Sequence, residues 1–422
     1  MKKVLIIVLV AAAVFCFSCA PAKDKVVVNA MAYGDNSNQE GQNWIRIVEA
    51  FEKENPNIDI QYEMLYDEAY HQKVVARLAS GDVPDLAYMG ADARWGLPWK
   101  EADQQVDHRP FMDEEYYDMS LIPPMGPNGE IYEIPLGTSN ITTVLYMNKA
   151  LVESLGFSTP KTYEDMVAMV PAAQKAGLDV VSIDGADGWA WGSCLMSCII
   201  ARISGDANWV EKAVKGVNSF TDQAFVDSLA MISKMVNDGV ISEKAVLVDY
   251  GANISNFSNE KALFMVQGQW AAGGIDPKVA ENTLMLAWPK FPGEKDAMAG
   301  SVAAAIQVGY GLTKAGASDP QVRDAALKFV QYFYSEPETT QRLRDGAIVA
   351  PILNDYQVPD DLPSIIKQKV SLAQSATNTD VIDAFLSGAP NDALNAGMQK
   401  IASGSATAQE VAQEVADLLS KI

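Results

Sequence analysis

The sequence predicts an α/β protein built from more than one domain-sized unit. Its 422 residues are too many for one compact core. Apolar residues make up 49% of the chain and charged residues 20%, so core-forming material is ample. From Val26 onward, strand-like and helix-like segments alternate, the signature of parallel strands joined by right-handed crossovers.

Val26, Val27 and Val28 open the first strand. Trp44, Ile47, Val48 and Phe51 then recur at helical spacing until Asn55-Pro56 stops the helix. Ile58, Ile60, Tyr62 and Met64 alternate with polar residues, the two-residue period of a strand. A second helix carries Val74, Val75 and Leu78 on one side and ends at Gly81, and Asp85 to Met89 form a third strand. Beyond Thr143 the alternation resumes. Val144 to Met147 form a strand, Lys149 to Leu155 a helix, and Tyr163 to Ala176 another helix closed by Gly177. Val322, Ala325, Ala326, Phe329, Val330 and Phe333 give an amphipathic helix, and Val411 to Ile422 give another at the C-terminus. No Pro-, Gly- or Ser-rich linker separates two halves, and there is no internal repeat.

The formal charge is −22, with no long Lys/Arg block, which argues against nucleic acid as a partner. The first nineteen residues pair Lys2 and Lys3 with an apolar run from Val4 to Phe17. That pattern is an export signal, too short for a comfortable membrane span. Its end, Cys16-Phe17-Ser18-Cys19, resembles a bacterial lipoprotein signal in which Cys19 is acylated; cleavage after Ala20 or Ala22 is the alternative. Cys194 and Cys198, four residues apart, read as buried free thiols. With only His71 and His108 as histidines there is no zinc constellation, and no metal or cofactor is expected.

In an open α/β sheet the ligand crevice lies beyond the carboxyl ends of the strands. Two loops stand there: Tyr33 to Gln39, with Asp35 and Asn38, and Gly90 to Trp95, with Asp92. Each sets hydrogen-bonding groups beside an aromatic ring, although Asp35, Ser37 or Asn38 could equally cap the next helix. Leu263 to Val266 reads as a buried strand that runs into Gly268-Gln269-Trp270, placing a large amphipathic ring just past the strand end.

The segments AFEKENPNIDIQYE, RLASGDVPDLAYMG, PLGTSNITTVLYMNKALVESLG, PKTYEDM, NEKALFMVQGQW and KFVQYFYSEPETTQRLRDGAIVAP occur in that order. With the C-terminal ALNAGMQKIASGSATAQEVAQEVADLL, they resemble the extracellular solute-binding proteins of ATP-driven sugar importers, the maltodextrin-binding protein among them. The resemblance runs from about residue 26 to the end. It implies a two-lobed periplasmic-binding-protein fold (type II), each lobe a mostly parallel sheet flanked by helices. After a signal peptide over 1–19, residues 25–138 and 300–348 form the N-terminal lobe, and 139–299 and 349–422 the C-terminal lobe. Three hinge crossovers are expected near Gly137 to Thr142, Ala299 to Ala304 and Gly346 to Ile352.

The same resemblance implies the site. Trp270 becomes a stacking plate for a sugar ring, Asp92 an acidic contact, and Asn38 and Gln39 polar contacts. Asn140 falls where the maltodextrin binder has a carboxylate, a departure that argues against maltodextrin itself. Trp189 and Trp191 lie in a region that supplies aromatic contacts in relatives, and their spacing of two would put both rings on one face of a strand. Tyr33, Asp35 and Trp95 complete the expected set. The implied protein is an exported, lipid-anchored monomer facing the periplasm or cell exterior. It passes a mono- or oligosaccharide to a membrane-embedded ABC permease and does no chemistry. A polyamine, metal-ion or peptide binder is the rival reading, and Tyr116-Tyr117 resembles the tyrosine pair of iron binders. A carbohydrate-active enzyme is the third, but no G-x-S-x-G elbow, Walker loop or selected carboxylate pair supports it.

Overall fold

In the computed structural model, which describes residues 25–348 and 350–421, the chain opens with strand β1, Val26–Tyr33. Helix α1, Gln39–Glu54, follows. It starts where Asn38, in extended backbone, accepts the Gly41 N–H at 2.9 Å, and it buries Trp44, Ile47, Val48 and Phe51. Strand β2, Ile58–Leu65, pairs with β1 in parallel, Val26 opposite Ile58. Helix α2, Glu68–Ser80, ends at Gly81 with φ 77°, a left-handed cap that glycine adopts without strain. Val74 is buried, but Val75 is 54% exposed, so the apolar side of α2 is narrower than its sequence suggests. Strand β3, Leu86–Met89, is buried throughout and lies parallel to β1 on the side away from β2.

The remaining strands are β4 (Ile134–Pro135), β5 (Asn140–Ile141), β6 (Val144–Asn148), β7 (Asp179–Ser182), β8 (Ala262–Gln267), β9 (Thr283–Leu286), β10 (Val302–Ala305), β11 (Gly309–Leu312) and β12 (Asn378–Thr379). One lobe holds a five-stranded sheet in the order β2-β1-β3-β11-β4, and the other a four-stranded sheet, β7-β8-β6-β9. In each sheet all strands but one point the same way. β11 runs antiparallel to both β3 and β4, and β6 runs antiparallel to β8 and β9. The cause is the crossing chain: β6 and β11 begin close after the joint between the lobes and run away from it, against strands that run toward it. β11 and β4 approach so closely that a Cβ on Gly309 would lie 1.8 Å from the Ile134 carbonyl oxygen.

Between the lobes, β12, β10 and β5 form a small third sheet. Two of its strands lie in the first two expected crossovers. The third crossing comes later than expected. Ala350 accepts from Thr138 N–H, Ile352 accepts from Asp118 N–H, and Asn354 N–H donates to Tyr116, at 2.9 to 3.0 Å. Residues 350–354, expected in the C-terminal lobe, are therefore tied to the first. The helix Ser364–Ser375 then reaches the second lobe, where the Gln368 side-chain Oε1 accepts the Met285 N–H at 3.1 Å.

Each lobe has its own aromatic centre. Trp44 stacks on Tyr310 at 4.7 Å in the first, and Trp209 on Phe225 at 5.3 Å in the second. Cys194 and Cys198 are buried free thiols. No helix among the described residues is long and apolar enough to cross a membrane.

Candidate ligand-binding cleft

The ending of β8 shows why Gly-Gln-Trp follows a buried strand. Gln267 is fully buried, donating Nε2 to both carboxylate oxygens of Asp184 at 2.9 and 2.8 Å and accepting the Gly268 N–H at 2.7 Å. The chain then turns into a short 3-10 helix, Gln269–Gly274. Trp270 folds back over Gly268, where a Cβ would sit 2.1 Å from the indole. Only glycine admits the ring there. Gln269 donates Nε2 to the Ser139 carbonyl at 2.8 Å, fastening this turn to the first crossover. Trp270 thus projects from the second lobe with its ring centre 6.0 Å from that of Trp189.

The opposite wall comes from the first lobe. Tyr33, at the end of β1, stacks on Tyr88 at 5.0 Å and 10°, meets Trp95 edge-on at 5.1 Å, and touches Tyr66 at 5.0 Å. Asp92 accepts the Trp95 N–H at 2.7 Å, which sets the loop, and burial pushes its carboxyl up to about 7. Between the walls lies a cavity of about 890 Å³ whose floor includes Asn140 of β5 and Gln307 just after β10. Asn140 Oδ1 accepts from Gln269 Nε2 at 3.4 Å. Aromatic faces with a few convergent carboxylates and amides are what a small polyhydroxylated or cationic ligand requires.

Arg94 closes one end. Its guanidinium spans the lobes, 3.3 Å from Asp383 and 3.7 Å from Asp67, and Nε donates to His71 Nε2 at 3.1 Å. Burial works against its charge, but Asp383 and the other nearby acids outweigh that and raise its pKa. His71 is pushed down to about 3 by burial and by Arg94, so it is neutral and free to accept. Beside this pair, Ala93 N–H donates to the Ala384 carbonyl at 3.0 Å, a backbone bond between lobes.

Six expected residues line this cavity: Tyr33, Asp92, Trp95, Asn140, Trp189 and Trp270. Asp35, Asn38 and Gln39 do not; they line an adjoining, more open cavity of about 1410 Å³ that shares Glu40, Tyr66, Asp67 and Trp270 with the first. Asp35 and Asn38 also start α1, Asp35 accepting the Ser37 N–H at 2.7 Å. Trp191 is not a site residue. The segment after Gly188 is helical rather than extended, with a π-helical turn at Trp191–Met196. The Trp191 ring lies in the core and donates Nε1 to the Gly185 carbonyl at 3.0 Å. The Tyr116-Tyr117 pair lies away from the cleft, Tyr117 bridging to Leu353. Sequence reasoning missed Tyr66, Asp67, Tyr88, Arg94 and Asp383. Arg94 stood in the loop already singled out, whereas Asp383 follows a strand of two residues with no local signal.

Two lobes joined by a three-stranded hinge, with an aromatic cleft between them, define a solute-binding protein that encloses its ligand. The comparison with known families agrees: residues 34–340 match the bacterial extracellular solute-binding protein family, and the chain belongs to it. It is 25% identical over 257 residues to the multiple sugar-binding protein of Streptococcus mutans serotype c, covering 59% of each chain. It thus spans less than two thirds of that relative's length. It is 23% identical over 210 residues, 46% of this chain and 49% of the other, to an ABC transporter extracellular-binding protein of Pyrococcus horikoshii. A chitin oligosaccharide binding protein superposes with a TM-score of 0.80 at 18% identity, over 93% of this chain and 98% of that one. A maltose-bound T. maritima protein does so with 0.74 at 17%, over 94% and 99%. These structures share the fold.

Proposed function

We propose that the protein captures a mono- or oligosaccharide between its lobes and delivers it to the membrane-embedded permease of an ABC importer. It works as a monomer held at the membrane by a lipid on Cys19, a residue outside the described ones, and it faces the periplasm or cell exterior. The observation that carries the ligand class is the neighbouring pair of indoles, Trp270 and Trp189, lining one cavity with Tyr33, Trp95, Asp92 and Asn140. A pyranose offers C–H faces to such rings and hydroxyl pairs to carboxylates and amides. The sugar-binding name of the Streptococcus mutans relative and the transporter name of the Pyrococcus horikoshii relative support the assignment. In this reading the lobes divide near residues 138 and 300, and closure about the small central sheet traps the sugar.

A polyamine is the second reading, favoured by the acids of the adjoining cavity, Asp35, Glu40, Asp67, Asp187 and Asp249, whose lining among the described residues includes no Lys or Arg. A thermal-shift screen of sugars and polyamines, read with tryptophan emission, separates the two. A ligand at a hundred times its Kd adds about 2.7 kcal/mol to the folded state. A sugar that raises the midpoint and shifts emission, both lost in Trp270→Ala, supports the proposal. Stabilisation by a polyamine alone refutes it.

A further inference from the structure

The cleft is open at one end and stopped at the other. Past Trp270 it continues into the cavity walled by Tyr66 and Tyr250, whose rings approach from opposite lobes to 6.2 Å. In the other direction lies a groove of about 1290 Å³, also between the lobes and lined by Tyr70, His71, Trp99, Leu386 and Asn391. That groove has the partly exposed rings of His71 and Trp95 and a polar group in need of a partner. Asn391 is 9% exposed, and its side-chain oxygen has none among the described residues. Arg94 and Trp95 line both this groove and the cleft. The Arg94 guanidinium is held in place there by Asp383, Asp67 and His71.

We infer that Arg94 is a specificity-determining end-stop: the protein takes an oligosaccharide by one terminus, seats the terminal ring between Trp270 and Trp95 against Arg94, and lets the chain run out past Trp270 toward Tyr250. This rests on the sugar reading. It adds that the site reads chain ends, not chain interiors, and that one of the two termini is recognised. A rigid charged group that must be displaced before a chain can pass discriminates by exclusion, and exclusion affects one end only.

The test uses the malto-, cello-, chito- or galacto-oligosaccharide that most stabilises the protein, in three forms: free, as its p-nitrophenyl glycoside at the reducing end, and as its 4,6-benzylidene acetal at the non-reducing end. Calorimetric titration of the wild type should show one capped form bound like the free sugar and the other weaker by about 100-fold or more. In Arg94→Ala the ratio between the caps should fall to within about tenfold, because the chain can pass into the Trp99 groove. A merely structural role for Arg94 would weaken both forms alike and leave the ratio unchanged, which overturns the inference. Equal tolerance of both caps by the wild type overturns it without any variant. If no free sugar of any length binds, the sugar reading itself fails and this inference falls with it.

Discussion

Lys369 should be worth more to this protein as methionine. It lies on the apolar side of the helix Ser364–Ser375, with Ile365, Ile366 and Val370, and it is fully buried. Its ammonium donates to the Gly346 carbonyl, and among the described residues it has no ion-pair partner within 4.0 Å. Burial lowers its pKa from 10.5 to about 7, with Glu40 opposing weakly. The sign follows from proton counting. Between those two values the unfolded chain holds the proton and the folded chain does not, so stability rises with pH across that window. Well below pH 7 the whole penalty is present, about 5 kcal/mol at 1.36 kcal/mol per pKa unit. Lys369→Met removes it and leaves the Gly346 carbonyl unpaired, which costs about 1–3 kcal/mol. The expected net gain at pH 6 is about 2–4 kcal/mol, shrinking to nothing or reversing at pH 10. Urea midpoints of both proteins at the two pH values measure it. A variant no more stable than wild type at pH 6, or a difference that ignores pH, would refute the reasoning.

Three further outcomes are expected. Gly268→Ala should fold, at a cost of about 1–3 kcal/mol, yet bind sugar no better than Trp270→Ala, because its Cβ would displace the indole; far-UV dichroism and titration check the two halves separately. Burial pushes the Asp92 carboxyl up to about 7; in the proposed reading it serves a sugar hydroxyl as an ionised acceptor, so affinity should fall about tenfold from pH 8 to pH 6, and Asp92→Asn should flatten the profile in calorimetry. Burial raises the thiol pKa of both cysteines, Cys198 to about 11, so a disulfide reagent at pH 8 should label neither Cys194 nor Cys198 in the native protein and both in urea, as read by peptide mass mapping.

The elements that sequence periodicity identified are those whose patterns are local. The helix Trp44 to Phe51, the buried strand ending at Gln267 and the caps at Gly81 and Gly177 all declare themselves within a turn or two. The reversal of β6 and β11 did not, because it depends on where the chain crosses between lobes, and a strand of four residues such as β11 looks the same run either way. The third crossing was misplaced for a related reason: small residues near Gly346 suggest flexibility, but Ile352 and Asn354 find partners near Tyr116 that no local pattern reveals. In the site, residues just after strand ends were legible, and Trp270, Asp92 and Trp95 line the cleft. Trp191 misled because a spacing of two is also compatible with entry into a helix. Asp383 was invisible, since its place opposite Arg94 exists only once the lobes meet.

The position of β11 bears on how the chain matures. It is an interior strand of the first sheet, between β3 and β4, and it pairs Gly309 with Met89 across about half of the sequence. Until residue 312 is available, β3 and β4 have no strand between them, and the aromatic packing of Trp44 on Tyr310 cannot form. Contacts this distant in sequence slow folding, because the loop must close before anything rewards it. The first lobe of a nascent chain therefore stays incomplete through about three quarters of its synthesis, the condition in which that part of a polypeptide can still be threaded through a translocation pore.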